Sequence, residues 1–315
     1  MKKLFVSPSP HVRTKETVKN VMWDVVIALV PAMIASIYFF GMNAFSVIAV
    51  SVVSALVSEA VVQKLMKRKV KILDGSAVIT GILFAFVVPP ALPWWLTMIG
   101  SSVSIVIGKM VFGGLGHNVF NPALVGRAFL TASWPVAMTT WLGIDGKVGA
   151  TVLGTLKQEG MGNVLSMFGT KGKMYLDLFV GNVGGSLGET SALALLLGAG
   201  YLFYRKQITW HIPVSYIGTV FILTAIFGQD PLFHILSGGL MLGAFFMATD
   251  MVTTPYTSKG KIIFGLGAGI LVTWIRMKGG YPEGVCYSIL IMNAVVPLID
   301  RYTRPRVFGE VKNNG

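Results

Sequence analysis

Apolar runs of close to twenty residues recur along the whole chain, and this recurrence limits the possible fold more than any other feature. A helix of about twenty apolar residues matches the thickness of the hydrocarbon core of a bilayer. Charged residues make up only 12% of the 315 residues, about half of the roughly 25% found in soluble domains. The sequence therefore predicts an all-α, polytopic membrane protein.

Ten segments have the composition of membrane-spanning helices. They are approximately 21–40, 44–65, 73–88, 93–112, 119–135, 185–203, 209–227, 231–249, 262–277 and 283–300. The third and the fifth are short for a full crossing. Pro89 and Pro90 follow the third segment, and Gly113, Gly114 and Gly116 follow the fourth. Short segments next to such residues are typical of broken helices that face a site inside the protein.

The two halves of the chain share short motifs at corresponding positions. "LDGSAV" from Leu73 matches "LSGGLM" from Leu236, and "GGLGHNV" from Gly113 matches "GGYPEGV" from Gly279. Each half would then contain five spans. Because five is an odd number, we expect the halves to be inverted relative to each other in the membrane, as in many transporters.

Lys and Arg residues are unevenly distributed between the spans. The "KRKVK" run at 67–71 and both termini are basic, whereas the long segment after the fifth span has few basic residues for its length. Since cytoplasmic loops carry the excess of Lys and Arg, both termini are expected in the cytoplasm. The single membrane domain, 1–315, is then divided into a cytoplasmic lead-in (1–20), a first helical half (21–135), an external segment (136–184), a second helical half (185–300) and a cytoplasmic tail (301–315).

Several classes of site are not supported by the sequence. The net charge of +13 comes from basic residues at helix ends, which indicates topology rather than nucleic-acid binding. The single cysteine, Cys286, cannot form an internal disulfide or hold an iron–sulfur cluster alone. The four histidines lack metal-ligand spacing, and "GLGAG" at 265–269 is typical of close helix packing. We therefore predict no catalytic residue, metal site or nicotinamide site in this chain.

The stretch "GGLGHNVFNPALVGRAFL" at 113–130 contains the densest pattern of candidate site residues. Asn121 followed by Pro122 predicts a helix N-cap and first helical position, whose free N–H groups could bind an anion. An ordinary capped turn is the alternative. Arg127 lies one to two turns into this helix, where a charge costs about 3 kcal/mol. It should therefore have a partner or ligand, unless it reaches the inner surface.

Acidic residues lie in or beside the predicted spans. They are Asp24, Glu59, Asp74, Glu189, Asp250 and Glu283. Glu59 and Asp74 flank the basic run at 67–71 and could pair with it. Asp250 ends a helix, where its charge faces the negative end of the helix dipole, so an ion or a basic neighbour should compensate it. Asp250 and Glu283 are the candidates for an ion path.

Five ordered motifs resemble one family over nearly the whole chain. They are "SPSPHVRTKETVKNVMWDVVIALVPA", "LDGSAVITGILFAFVVPP", "FGGLGHNVFNPALVGRAFL", "FMATDMVTTP" and "YPEGVCYSILIMNAVVPLID". They are similar to the D subunits of Rnf-type ion-translocating ferredoxin:NAD oxidoreductases, which are homologous to the B subunits of sodium-translocating NADH:quinone reductases. The resemblance implies a flavin-carrying, multi-pass subunit in a bacterial inner membrane. It also implies as partners the A, B, C, E and G subunits, a flavin transferase and membrane lipid.

The resemblance further implies FMN joined through its phosphate to a threonine. The flavin-transfer pattern, Asp-x-x-Ser/Thr-Gly-Ala-Thr/Ser, aligns with "DGKVGAT", so that Asp145, Gly149, Ala150 and Thr151 match and Val148 departs from it. A transferase must reach the Thr151 hydroxyl, so we expect a small, polar, flexible and exposed stretch there. The family also implies a second, non-covalent flavin within the helices, riboflavin.

A different class of function fits the same helical pattern. A transporter or channel for a small neutral solute, without redox chemistry, would also use inverted repeats and broken helices. The flavin content of the purified chain distinguishes the two interpretations.

Overall fold

The structure is a computed structural model that describes residues 16–143 and 148–305, and helices dominate it. The helices of the first half are α1 (Val18–Phe40), α2 (Met42–Leu65), α3 (Ser76–Phe86), α4 (Trp94–Ile105), α5 (Pro122–Ser133) and α6 (Pro135–Thr139). Those of the second half are α7 (Val152–Glu159), α8 (Met161–Phe168), α9 (Lys171–Val180), α10 (Ala192–Tyr204), α11 (His211–Ile226), α12 (Pro231–Leu236), α13 (Leu240–Leu242), α14 (Ser258–Lys278) and α15 (Val285–Thr303).

One small β-hairpin and two π-helical segments complete the described elements. Strands β1 (Trp141–Leu142) and β2 (Val148–Gly149) pair antiparallel, with Trp141 opposite Gly149. The π-helical segments are Val106–Met110, which continues α4, and Gly243–Met247, which continues α13. The hairpin is a minor departure from a purely helical fold.

The prediction of an all-α, polytopic membrane protein is confirmed. Among the described helices, α1, α2, α14 and α15 are long and apolar enough to cross a membrane, and α3, α10 and α11 are shorter apolar helices. Each of the ten predicted spans contains a helix. The third and the fifth are short, as expected, because α3 has 11 residues and α5 has 12. The eighth predicted span, 231–249, is not one helix, since it is interrupted at Gly238, where φ is 67°.

The residues predicted to end helices do so. Helix α3 stops at Phe86, ahead of Pro89 and Pro90, and the π-helical continuation of α4 stops before the glycine-rich turn. Gly113, Gly114 and Gly116 in that turn all have positive φ angles, between 91° and 122°. A side chain would strain these positions, so glycine is required for the chain to turn from α4 into α5.

The two halves pack their helices in the same order. In the first half α2 contacts α4 and α4 contacts α5, while in the second half α11 contacts α14 and α14 contacts α15. Across the halves, α1 packs on α10 and α5 packs on α15. These contacts agree with the proposed repeat, whereas the inversion of the halves and the side on which each terminus lies stay predictions.

Helices α7, α8 and α9 form a small packed unit, called here the α7–α9 unit (152–180). Its core contains Val152, Leu153, Val164, Met174 and Leu178, and it includes Phe233 from α12. The Lys157 ammonium donates to the carbonyl oxygens of Gly279 and Tyr281, and the Tyr175 hydroxyl donates to Asp230. The unit, which begins with residues 152–157 of the stretch expected to be flexible, is therefore fixed to the loops at one end of the helical bundle.

Candidate functional site

Thr151 lies directly before α7 and caps its N-terminus. Its Oγ1 atom accepts a hydrogen bond of 3.1 Å from the Gly154 N–H. Gly149 and Ala150 are exposed, as expected, but Thr151 itself is only 6% exposed. The small neighbours are thus exposed as expected, but the hydroxyl is covered in the folded chain, because capping turns Oγ1 inward and Val152 and Leu153 pack into the core of the α7–α9 unit. Asp145, the first residue of the flavin-transfer pattern, lies outside the described residues.

Thr155 differs from Thr151 in the use of its hydroxyl. It lies one turn into α7, where its Oγ1 donates to the carbonyl oxygen of Thr151 over 3.3 Å. The residue is also buried. The Thr155 hydroxyl therefore does not lie at the start of the helix. This makes Thr155 the natural control for experiments on Thr151.

A cavity of about 20 Å³ lies beside Thr151 and is called here the small cavity. Its polar side chains are Thr151, Glu189, Thr190, Ser237 and Glu283. All five offer oxygen atoms, and the remaining lining residues are apolar or glycine. The structure thus brings Thr151 and Glu283, which the sequence could only name separately, to one place.

Arg127 holds the two carboxylates of the small cavity together. Its Nη1 donates to Glu189 Oε1 over 3.0 Å and its Nη2 donates to Glu283 Oε2. The Arg127 side chain is 12% exposed. The prediction that this buried charge needs a partner is confirmed, and the alternative that it reaches the inner surface is wrong. From the sequence, Glu189 was named only as one of the acidic residues near the predicted spans. Its neighbours in "GETS" do not indicate that it pairs with Arg127.

A second arginine lies behind the small cavity without touching a carboxylate. The Arg276 guanidinium donates to the main-chain oxygens of His234 and Ser237. Within the described part of the chain, Glu189 Oε2 and Ser237 Oγ are buried without a hydrogen-bond partner. The Ser186 hydroxyl interacts with the Glu189 carboxylate but lies outside hydrogen-bond geometry. Among the described residues, Ser237 Oγ is therefore without a partner, whereas the Glu189 carboxylate has the Ser186 hydroxyl beside it.

A larger cavity, of about 100 Å³, lies between α1, α3, the turn before α5 and the loop after the second π-helical segment. Its polar lining residues are Ser76, Thr80, Lys109, Asn118, Asn121, Gln207, Thr249 and Asp250. Its apolar lining includes Val25, Leu83 and Phe246. We call it the large cavity.

Asn121 joins several elements at the large cavity. Its Oδ1 accepts from the N–H groups of Ala123 and Leu124, which confirms the predicted N-cap of α5. Its Nδ2 donates to the Met247 carbonyl oxygen over 3.3 Å, and its own N–H donates to Asn293 Oδ1 over 3.1 Å. The cap thus links the first half of the chain to the second.

Asp250, the other ion-path candidate, also lines the large cavity. It accepts hydrogen bonds from the Val252 N–H over 3.3 Å and from Thr253 Oγ1 over 3.2 Å. Over the ranges that the structure describes, no basic group forms an ion pair with it. Local donors, rather than a basic neighbour, therefore contact its carboxylate, and an ion at Asp250 stays a prediction.

Glu59 and Lys109 form an ion pair that the sequence did not reveal. Lys109 Nζ lies 2.8 Å from both carboxylate oxygens of Glu59 and donates to Ser76 Oγ over 2.6 Å. Asp74 accepts from the N–H and hydroxyl groups of Ser76. The expected pairing of Glu59 and Asp74 with the basic run at 67–71 was wrong, because both carboxylates bind partners closer to the helical core.

Comparisons with known proteins match the chain over almost its full length. The sequence pattern of the NQR2, RnfD, RnfE family covers residues 5–309. The chain is 52% identical to the D subunit of a proton-translocating ferredoxin:NAD(+) oxidoreductase complex from Clostridium ljungdahlii, over 96% of each chain. It is 48% identical to the D subunit of a Na(+)-translocating ferredoxin:NAD(+) oxidoreductase complex from Acetobacterium woodii, over 98% of this chain and 96% of the relative. It is 37% identical to the D subunit of an ion-translocating oxidoreductase complex from Escherichia coli, over 98% and 99%.

Proposed function

This chain belongs to the NQR2, RnfD, RnfE family, and from that membership we propose that it is the D subunit of an Rnf-type complex. Such a complex couples electron transfer between ferredoxin and NAD to the movement of Na⁺ or H⁺ across the membrane. The relatives carry the corresponding names and align with this chain from end to end. The partners are the other subunits of the complex, A, B, C, E and G.

The role of this subunit is to carry a flavin on Thr151. The observation that carries this proposal is the position of the Thr151 hydroxyl at the N-terminus of α7, inside the sequence pattern that flavin transferases modify. A phosphate on Oγ1 would lie at the free N–H groups of the first turn, where the helix dipole stabilises a negative charge. The bound FMN supplies the redox chemistry, and the chain supplies position and electrostatics.

The burial of Thr151 adds a condition to this proposal. FMN cannot enter a cavity of about 20 Å³, so the flavin ring must extend away from it, over the exposed Gly149 and Ala150. The transferase therefore has to act while the start of α7 is open. Val148 stands where the transferase pattern has Ser or Thr, so Val148→Ser should be modified at least as fully as the natural chain.

We infer that the large cavity is the place of the second, non-covalent flavin. Because riboflavin is larger than about 100 Å³, the side chains and turns around this cavity must move apart to admit it. Amide side chains of Asn118, Asn121 and Gln207 line it together with hydroxyl groups. Such groups can donate to and accept from the edge of an isoalloxazine ring and a ribityl chain, while the apolar lining packs against the ring faces. We assign riboflavin to this cavity, with Asn121 among its contacts.

The two sites would lie near opposite faces of a bacterial cytoplasmic membrane. Both termini and the basic run at 67–71 are placed inside by the distribution of Lys and Arg, and the α7–α9 unit is placed outside. The large cavity then opens near the inner face and Thr151 lies near the outer face. A subunit of this kind can pass electrons between redox centres on the two sides.

The flavin content of the purified chain tests the proposal. The chain is co-expressed with a competent flavin transferase, separated on a denaturing gel and examined for flavin fluorescence and for added mass. The natural chain and Thr155→Ala should be labelled, and Thr151→Ala should not. A natural chain without flavin would favour the non-redox transporter, and labelling of Thr151→Ala would place the flavin elsewhere.

A further inference from the structure

Arg276 is a buried cation without an acidic partner among the described residues. It is 5% exposed, and its guanidinium donates to the main-chain oxygens of His234 and Ser237. It takes part in none of the ion pairs of the described ranges, and its Nε atom is buried there without a hydrogen-bond partner. Because a buried charge is normally paired, Arg276 indicates a place for an anion that the described part of the chain does not provide.

Ser237 and Gly238 connect Arg276 with the small cavity. Both residues line the cavity, and a Cβ atom at Gly238 would lie 3.3 Å from Arg276 Nη2. Glycine at this position therefore leaves no side chain between the guanidinium and the cavity. Ser237 is 2% exposed, and its Oγ atom has no partner within the described part of the chain. A hydroxyl donor and a guanidinium thus lie at the same wall of the cavity.

The start of α7 also lies at the small cavity. Thr151, Val152 and Leu153 all line it, and the N–H groups in the first turn of a helix favour a negative charge. Thr151 Oγ1, the proposed attachment point of the flavin phosphate, is therefore close to three features that bind anions. They are the helix start, the Ser237 hydroxyl and the Arg276 guanidinium.

The carboxyl groups at the small cavity leave the charge of Arg276 uncompensated. Glu189 and Glu283 both bind Arg127. Two buried carboxyl groups that share one site keep a proton between them, because burial and mutual repulsion favour the neutral acid. The remaining negative charge balances Arg127, so that Arg276 gives the site one positive charge. A phosphodiester on Thr151 carries one negative charge and would bring the sum to zero.

We propose that the small cavity is an anion site, in which Ser237 Oγ and the Arg276 guanidinium hold the phosphate of the flavin on Thr151. This inference rests on the proposed function, since the phosphate belongs to the proposed covalent flavin. It adds two residues to that site, neither of which the flavin-transfer pattern contains. Their role is to position the phosphate and to neutralise its charge, while the flavin ring remains outside the cavity.

The size and the donors of the small cavity fit a phosphate. One oxygen-sized sphere requires roughly 10–15 Å³, so a cavity of about 20 Å³ admits a phosphate oxygen but not a flavin ring. Arginine binds phosphate through N–H groups that lie in one rigid plane, and hydrogen bonds to a charged acceptor are stronger than neutral ones. The buried Arg276 Nε and Ser237 Oγ atoms, which have no partners among the described residues, are both donors.

Thermal unfolding of the full-length chain with and without flavin tests this site. Each variant is made with and without the flavin transferase, and the unfolding midpoints of its two forms in detergent are compared. We expect the flavin to raise the midpoint of the natural chain, because the phosphate neutralises Arg276. Ser237→Ala should lose at least half of this rise. In Arg276→Met the phosphate adds an uncompensated negative charge, so that the flavin should lower the midpoint.

A matched control is Thr273→Val. Thr273 is buried one turn before Arg276 in α14, donates to the Gly269 carbonyl oxygen and does not line the small cavity. This variant should keep the full rise of the natural chain. Comparing each variant with and without flavin removes any general destabilisation that the substitution causes. Ser237→Ala keeps every charge at the site, so it tests the inference even if Arg276→Met does not fold.

Phosphorus NMR of the same samples observes the phosphate directly. Its resonance in the folded natural chain should differ from that in the unfolded chain, and Ser237→Ala should move it towards the unfolded position. An identical resonance in the folded and the unfolded natural chain would place the phosphate in solvent and contradict the inference. An equal rise of the midpoint in the natural chain, Ser237→Ala and Arg276→Met would also contradict it.

Failure of the proposed function is distinguishable from failure of this inference. Intact mass reports whether each sample carries flavin, and a natural chain without flavin contradicts the proposed function and removes the phosphate that the site would hold. A modified natural chain whose midpoint falls on flavin attachment contradicts the anion site alone. A folded Ser237→Ala that is not modified, while Thr273→Val is, supports the site, because attachment of the phosphate then requires the Ser237 hydroxyl.

Discussion

The two cavities differ in how the charges beside them are satisfied. At the large cavity, Lys109 is neutralised by Glu59, and Asp250 is held by local N–H and hydroxyl groups. The amide side chains of Asn118, Asn121 and Gln207 each donate to a protein oxygen, so a ligand would bind their second N–H groups. At the small cavity Arg127 is shared between Glu189 and Glu283, and Ser237 Oγ has no hydrogen-bond partner among the described residues. The large cavity thus suits a neutral, extended molecule, whereas the small cavity is lined by a cluster of charged groups that bind one another.

The secondary-structure elements that surround the two cavities also differ. The large cavity is bordered by broken elements, namely the glycine-rich turn before α5 and the two π-helical segments. The small cavity is covered by the α7–α9 unit, which has its own apolar core and polar contacts to the bundle. Opening at the small cavity therefore requires a packed unit to separate, while the large cavity requires only side chains and turns to move.

Replacing Arg127 should have the largest effect on stability, and this effect should arise at the small cavity and not at the large cavity. Arg127→Leu leaves Glu189 and Glu283 buried side by side without their shared cation, and breaking such a pair costs about 3–5 kcal/mol. We expect normal membrane insertion, a lower thermal unfolding midpoint and impaired electron transfer. Riboflavin bound in the large cavity should be retained until the chain unfolds.

Arg127→Lys is the control for this variant, because it restores the charge without the two-pronged geometry. Its effect on the midpoint should be smaller than that of Arg127→Leu. An Arg127→Leu protein with an unchanged midpoint would show that the ion pairs contribute nothing. Loss of riboflavin at temperatures where the protein remains folded would show that the two cavities are coupled.

The local features of both regions follow from the sequence, and the partners of the buried charges do not. The Asn121–Pro122 cap and the glycine turn depend on a few neighbouring residues, and both were predicted. The cost of burying Arg127 also predicted that it has a partner. Glu189 and Glu283, however, lie 62 and 156 residues further along the chain. Tertiary packing alone brings them to Arg127, so sequence patterns could not identify them.

The burial of Thr151 could not be predicted for a similar reason. The stretch 145–157 contains Gly and Thr residues and several charges, which are typical of an exposed turn. Its second part nevertheless forms α7, because Val152 and Leu153 pack against Leu178 and Phe233. Two of these four residues belong to other helices. The flavin-transfer pattern therefore indicates the hydroxyl that we propose is modified, but not how accessible that hydroxyl is in the folded protein.

A change in the large cavity should have an intermediate effect that is confined to non-covalent flavin. Asn118 lines this cavity, and its amide donates to the Phe120 carbonyl oxygen. Asn118→Ala removes one polar contact worth about 1–1.5 kcal/mol, so riboflavin retention should fall about tenfold. The covalent flavin should be unaffected. Flavin release after denaturation, separated from the protein-bound fraction, measures both.

Asn182→Ala is the matched control, because Asn182 is an exposed amide residue in the loop after α9. It should change neither flavin. If Asn118→Ala lowers the covalent and the non-covalent flavin equally, the assignment of separate flavins to the two ends is wrong.

The smallest expected effect concerns the attachment of the α7–α9 unit through Tyr175. The Tyr175 hydroxyl donates to Asp230 at the start of α12, and this bond raises the pKa of Tyr175 to about 12. Because the pKa of Tyr175 is higher in the folded state than its unfolded value of about 10, the bond stabilises the folded chain fully below about pH 10. The contribution is lost as the pH rises towards 12.

Tyr175→Phe should therefore lower stability by about 1 kcal/mol at neutral pH, since the group is only partly buried. Hydrogen exchange of α7 and α9 should become faster in this variant, and exchange of α3 and α4 beside the large cavity should not change. As the pH rises from about 9 towards 12, the natural chain should lose the slower exchange of α7 and α9 that distinguishes it from the variant. A difference between them that persists at that pH would mean that ring packing, and not the hydrogen bond to Asp230, holds the unit in place.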